Sequence, residues 1–167
     1  MGLYLIANGP MPTTAAQVPV TTGTSIKTLL QIKPFNLVRI VEWGISFNGS
    51  AAATPIKVEL LETGTVFATV TASADADIAK LGPNADQAVA SIAGLTLGTT
   101  ATGYTSSGEG SITTVRMFDV QFVSPTGAYV KQFPLGREPW CVIGNAGRIR
   151  VHAPAAVDAY AYMILEI

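Results

Sequence analysis

Apolar and polar residues alternate with a period of two along much of this chain, the pattern of strands that bury one face. In residues 41–48, Val41, Trp43, Ile45 and Phe47 fall on one side, with Glu42, Gly44, Ser46 and Asn48 on the other. The pair Asn48-Gly49 then marks a turn. Ile56, Val58 and Leu60 alternate with Lys57 and Glu59, and Glu62-Thr63-Gly64 leads into residues 65–71. That order predicts a hairpin in which Gly64 supplies a positive φ. Phe118, Val120 and Phe122 alternate with Asp119 and Gln121 until Ser124-Pro125-Thr126-Gly127 stops the run. Residues 129–133 form a further strand, broken at Pro134-Leu135-Gly136. Near the end, Ile149, Val151 and Ala153 alternate with Arg148, Arg150 and His152, and residues 160–167 read as a continuous apolar strand.

With residues 3–7 and 26–32, the chain holds about nine or ten strands. The only helical candidate is residues 84–92, inside a long excursion over 72–110. Many short strands separated by turn signals predict an all-β fold, an antiparallel β-sandwich, jelly-roll-like, with little helix. Residues 1–35 read as an N-terminal strand and extended arm, and residues 36–167 as the sandwich domain. Residues 8–25 carry three prolines and no charge, which suits an arm lying on a neighbour or a flexible terminus. Residues 98–111, rich in Gly, Ser and Thr, read as an exposed, mobile loop.

Charge changes the picture. Only 13% of the 167 residues are charged, about half the usual share, while 49% are hydrophobic. No charged side chain occurs in residues 1–26, and Asp86 is the only one between Lys80 and Glu109. An isolated soluble domain needs a charged, patch-free surface. A chain without one is expected to have much of its surface covered by other chains, as a component of an assembly. Ten basic and eleven acidic residues are scattered singly, giving a net charge of −1. No basic stripe exists to follow phosphates, so no nucleic-acid partner is expected. No stretch is long and apolar enough to span a membrane as a helix, and no membrane partner is expected. The start Met1-Gly2-Leu3-Tyr4-Leu5-Ile6 has neither the basic region of a signal peptide nor the Ser or Thr of a myristoylation signal. Synthesis in a cytoplasm is expected, and Asn48-Gly49-Ser50 then reads as a turn rather than a glycosylation site.

Candidate chemistry is sparse. His152 is the only histidine and lies on the polar side of its strand, where a surface or interface role outweighs a catalytic or metal one. Cys141, the only cysteine, sits in the apolar run Trp140-Cys141-Val142-Ile143 and reads as a buried thiol. Asp75 and Asp77 lack the glycine and closing glutamate of a calcium loop. No catalytic residue, cofactor or metal site is assigned. Arg148, Arg150 and His152 put three basic groups on one strand face, and two readings stay open. They pair across strands within the subunit, for example with Glu42 or Glu166, or they meet a neighbouring subunit or an acidic partner. Arg137 and Trp140 are similarly divided between an interface, where Arg and Trp are enriched, and a core position for the Trp.

Three stretches, VEWGISFNGSAAATPIKVELLE (41–62), YVKQFPLGREP (129–139) and RIRVHAPAAVDAYAYMILEI (148–167), resemble a group of small virion-associated proteins of tailed bacteriophages, especially those infecting actinobacteria. The similarity runs in order over roughly residues 36–167. It implies a capsid decoration (cement) protein on the outside of a phage head, located in the virion, with the major capsid protein and its own copies as partners. A homo-oligomer, in particular a trimer, is expected. The resemblance implies no active residue. A second expectation, from a different class, is an appendage module whose loops bind a receptor or glycan, with Tyr104 as one exposed aromatic.

Overall fold

In the computed structural model of the protein, residues 2–49, 54–82 and 94–167 are described, and the helical candidate at 84–92 lies outside them. Two antiparallel sheets pack as a sandwich. The seven-stranded sheet contains β1 (Leu3–Ala7), β2 (Val20–Thr21), β4 (Val38–Phe47), β7 (Ile78–Leu81), β10 (Ala128–Gln132), β11 (Trp140–Cys141) and β13 (Asp158–Glu166). Its order is β10-β4-β13-β1-β7, with β11 also beside β4 and β2 beside β13. The six-stranded sheet contains β3 (Lys27–Ile32), β5 (Ile56–Thr63), β6 (Thr69–Ala72), β8 (Gly103–Gly108), β9 (Thr114–Val123) and β12 (Ala146–His152), in the order β6-β8-β3-β12-β5-β9. Among the described residues there is no α-helix, only a 3-10 turn at Asp75–Asp77.

The connectivity is jelly-roll-like. When β1, β3, β4, β5, β9, β10, β12 and β13 are numbered one to eight, the sheets read 1-8-3-6 and 2-7-4-5. This is the interleaving of two Greek keys. Residues 1–35 are part of this frame rather than a separate piece. β1 lies between β13 and β7, and β3 lies between β12 and β8.

The periodic stretches explain most of the core. Ile56, Val58 and Leu60 of β5 face Ile149 and Val151 of β12 within the buried cluster, with Trp43, Ile45 and Phe47 of β4 opposite. Each such side chain contributes about 1.5–3 kcal/mol on full burial. The alternation in β4 slips at Val41, however. Ile164 pairs with Glu42 and Leu165 with Ile40, so Val41 is an extra residue left half-buried, and Ile40 and Trp43 both point inward. In β13 the apolar run is in fact two-faced: Ala159, Ala161, Met163 and Leu165 are buried, while Tyr160, Tyr162 and Ile164 are half-buried on the other side.

Two expectations are corrected. Gly64 does not form a hairpin. It carries no positive φ, and its N–H extends the ladder to Thr113 before the chain crosses the outer face of the six-stranded sheet. β9 has the reverse orientation to an apolar-in strand. Asp119 and Gln121 pair opposite the core residues Leu60 and Val58, whereas Phe122 pairs opposite Lys57 and is 71% exposed. The buried Asp119 carboxylate is tolerated because it is satisfied. It accepts hydrogen bonds from Tyr129 Oη (2.9 Å) and Gln121 Nε2 (3.1 Å), and Lys131 Nζ lies 3.4 Å away. These contacts join the edges of the two sheets.

β4 runs from one end of the sandwich, beside the 33–37 loop, to the other, beside the turns at 124–127 and 153–157. These are the Phe35 end and the Val157 end of the sandwich.

Candidate functional site

Arg148, Arg150 and His152 share the outer face of the six-stranded sheet, as the alternation predicts, but the chain itself covers that face at Arg148 and leaves His152 exposed. Residues 64–68 and the stretches flanking β8 pass over it at Gln31 and Arg148, while β6 and β8 extend the sheet beyond β3. β8, which lies in the segment expected to be a mobile loop, pairs with both β3 and β6. Gln31 fastens the cover by giving hydrogen bonds from Nε2 to the Ala101 carbonyl (2.6 Å) and the Ala68 carbonyl (3.3 Å), and accepting one from the Ala68 N–H (3.0 Å).

Arg148 is fully buried beneath this cover. Its Nε donates to Thr63 Oγ1 (2.9 Å), Nη2 donates to the Val66 carbonyl (2.7 Å), and Nη1 stands 3.7 Å from Glu109. Burial lowers its pKa to about 10, against the opposing pull of Glu109, which leaves it charged at neutral pH. Glu109 in turn accepts from the Thr28 N–H (2.5 Å), the Thr28 hydroxyl (2.6 Å) and the Ser106 hydroxyl.

Arg150 donates from Nε and Nη2 to one oxygen of Glu59 (2.8 and 2.7 Å), and Lys57 pairs with the other. His152 is exposed at the end of β12, opposite Lys57. The basic row is therefore neutralised mainly within the subunit. Its partners are Glu59 and Glu109 rather than Glu42 and Glu166. Those two serve the other sheet, Glu42 accepting from Tyr162 Oη (2.6 Å) and Glu166 pairing with Arg39 (3.2 Å).

Arg137 and Trp140 lie elsewhere, on the β4 edge of the seven-stranded sheet, Arg137 in the 134–139 turn beside Val41 and Trp140 toward the Phe35 end. Trp140 is half-buried in β11, with the Arg39 guanidinium 4.0 Å from its ring centroid. The core tryptophan is Trp43, tilted against Tyr129 with ring centroids 5.4 Å apart. Trp140 also accepts a hydrogen bond at its carbonyl from Arg116 Nη2. Arg137 is exposed in a turn closed by its N–H to the Pro134 carbonyl (2.9 Å). Beyond Trp140, on the 33–37 loop and the 142–145 turn, stand exposed apolar side chains that periodicity does not reveal: Phe35, Leu37, Val142 and Ile143. Their only sequence signal is their place beside turn formers, in Pro34-Phe35-Asn36-Leu37 and Val142-Ile143-Gly144-Asn145.

The remaining candidates are engaged in structure. Cys141 is buried, and desolvation, then the Glu62 charge, push its thiol up to about 12, far from a thiolate at neutral pH. Asp77 accepts from the Ala74 N–H (2.9 Å) and the Met11 N–H (3.0 Å). Among the described residues, no three His, Cys, Asp or Glu side chains cluster as a metal would require. Residues 8–25 follow their own sheet at several points. The buried Asn8 amide bonds Ala159 and Ala161, Met11 is tied to Asp77, and β2 pairs with β13. Tyr104, expected as an exposed loop aromatic, is half-buried against the core. A cleft at the Val157 end is lined by Pro19, Phe47 and the half-buried Tyr160 together with Gln17, Asn48 and Asp158. Compared with known proteins, the chain matches no family model, no curated sequence and no solved structure.

Proposed function

We propose that the chain is a structural protein of a tailed-phage virion, a decoration (cement) protein that seats on the outside of the head as a homotrimer and stabilises it against the major capsid protein. The observation that carries this reading is the surface. A chain with few charges exposes large apolar side chains in groups, above all Phe35, Leu37, Val142 and Ile143 on adjoining loops. Such grouping is a feature of surfaces that other proteins cover. The resemblance of residues 41–62, 129–139 and 148–167 to virion-associated proteins supports the same reading. The action is mechanical: a protein that binds only the expanded shell stabilises that state by linkage.

A jelly-roll-like sandwich serves shells and lectins alike, so the fold favours neither. The cleft with Tyr160, Asp158, Asn48 and Gln17 favours the second reading, an appendage module binding a glycan, because a ring face beside carboxylate and amide groups suits a sugar. Quantitative mass spectrometry of purified virions separates the two. Hundreds of copies per particle support decoration, a handful support an appendage, and none defeats both.

A further inference from the structure

We propose that the cleft at the Val157 end binds one ring of an uncharged sugar, stacked on Tyr160 and held at its hydroxyls by Gln17, Asn48 and Asp158. The inference rests on the glycan-binding reading above and adds the class of sugar and the role of each side chain.

The cleft measures about 280 Å³, at the small end of ligand pockets, which suits a single pyranose ring. Pro19, Phe47 and Tyr160 make its apolar part. Opposite Tyr160 on β4 stands Ser46, whose side chain is too short to cover the ring. A pyranose presents C–H groups on one face, which pack on an aromatic ring, and hydroxyls around its edge, which need donors and acceptors.

Among the described residues, the amides of Gln17 and Asn48 and the carboxylate of Asp158 have no hydrogen-bond or ion-pair partner. Each amide both donates and accepts, and the carboxylate accepts at two oxygens, so together they match neighbouring hydroxyls, which do both. These groups stand on fixed supports. Asn48 N–H donates to the Asp158 carbonyl (2.9 Å), and Asp158 pairs with Thr21 of β2. Gln17 lies against Gly9, where a β-carbon would come within 3.2 Å of its Nε2. Ordering such groups on binding has little entropic cost.

Charge selects the class of sugar. Asp158 is the only charged side chain among those lining the cleft, and the Lys27 ammonium donates instead to the Thr21 carbonyl (2.8 Å). An anionic sugar would meet an unpaired carboxylate, which a neutral one does not.

The test titrates the full chain with D-glucose, D-galactose, D-mannose and N-acetyl-D-glucosamine, and with D-glucuronate as the anionic probe, following backbone amides by NMR. At least one neutral sugar should bind saturably, with a millimolar Kd, and shift amides in residues 17–21, 46–48 and 158–160. Glucuronate should bind about tenfold more weakly or worse, and Asp158→Asn should narrow that gap. Tyr160→Ala and Asp158→Asn should each weaken the neutral sugar about tenfold, while Phe122→Ser, on the other sheet, leaves it unchanged. Circular dichroism confirms folding; if Tyr160→Ala unfolds, Asp158→Asn and Gln17→Ala make the comparison. Neutral-sugar binding that none of the cleft variants weakens, or glucuronate bound as tightly, overturns the inference and leaves the glycan reading standing. Binding of none of the five sugars also overturns it, and the glycan reading is then decided separately by copies per virion. Binding at the cleft by a protein absent from virions keeps the inference and defeats the virion reading.

Discussion

The guanidinium of Arg148 stands 3.7 Å from the carboxylate of Glu109, where the chain leaving β8 closes over the six-stranded sheet. Burying a charge this way is costly unless its partner remains. Glu109→Ala should therefore destabilise the protein by about 3–5 kcal/mol, since it strands the Arg148 charge and also frees Thr28 and Ser106. Arg148→Met, which removes the charge and keeps the volume, should cost distinctly less. Denaturant midpoints of the two variants check the order; equal losses would mean that Arg148 acts by packing alone.

On the other sheet, the ring of Tyr162 crosses Gly44 so closely that a β-carbon there would lie 2.5 Å from Cε1. The ring is held by its hydroxyl on Glu42. Gly44→Ala must displace the ring, at about 1–3 kcal/mol. Tyr162→Phe, which keeps the ring and loses the bond, should cost about 1 kcal/mol. Thermal melts of the two variants test this: a smaller loss for Gly44→Ala than for Tyr162→Phe would show that the strand shifts to make room.

The strands whose polar side meets solvent or another sheet strand were legible from alternation, as in β5 and β12. β9 was not, because its inward Asp119 is satisfied by Tyr129 and Lys131 of β10, and nothing in a local pattern announces partners across a turn. The basic face of β12 was legible as a face. Its partners were not, since β12 meets Glu59 on β5, about ninety residues earlier, and Arg148 is buried by a crossing segment with no periodic signal. The Phe35 end was illegible for a related reason: single apolar residues in turns follow no period and become a patch only when two loops are joined.

Both acidic and alkaline limits of stability should be visible at one contact, Tyr129 on Asp119. Burial raises the Asp119 pKa, but bonds from Gln121 and Tyr129 and the Lys131 charge outweigh it and hold the group below its ordinary value. Glu59 is likewise lowered, its pairing with Lys57 and Arg150 outweighing burial. Their stabilisation is present above the unfolded carboxylate values, near pH 4, and is lost as pH falls through the lower folded values. Burial, then Asp119, raises Tyr129 to about 12. Its contribution is complete below about pH 10 and is lost as pH rises toward the folded value. Tyr129→Phe should flatten the alkaline limb of a stability–pH curve. An unchanged limb would locate the alkaline loss in another group, Tyr162 being the next to examine.

Self-association should persist in high salt. Closed symmetry is the usual way for a charge-poor chain to cover apolar surface. Apolar burial is insensitive to screening, whereas exposed ion pairs weaken once their separation exceeds the Debye length. Analytical ultracentrifugation at low and at molar salt should give one oligomer in both. A monomer at micromolar concentration would defeat the trimer, and the sparse charge would then be explained by contact with the shell alone. An oligomer lost on adding salt would shift the contact to the exposed charged groups, Lys57, His152 and Asp158, at the Val157 end of the sandwich.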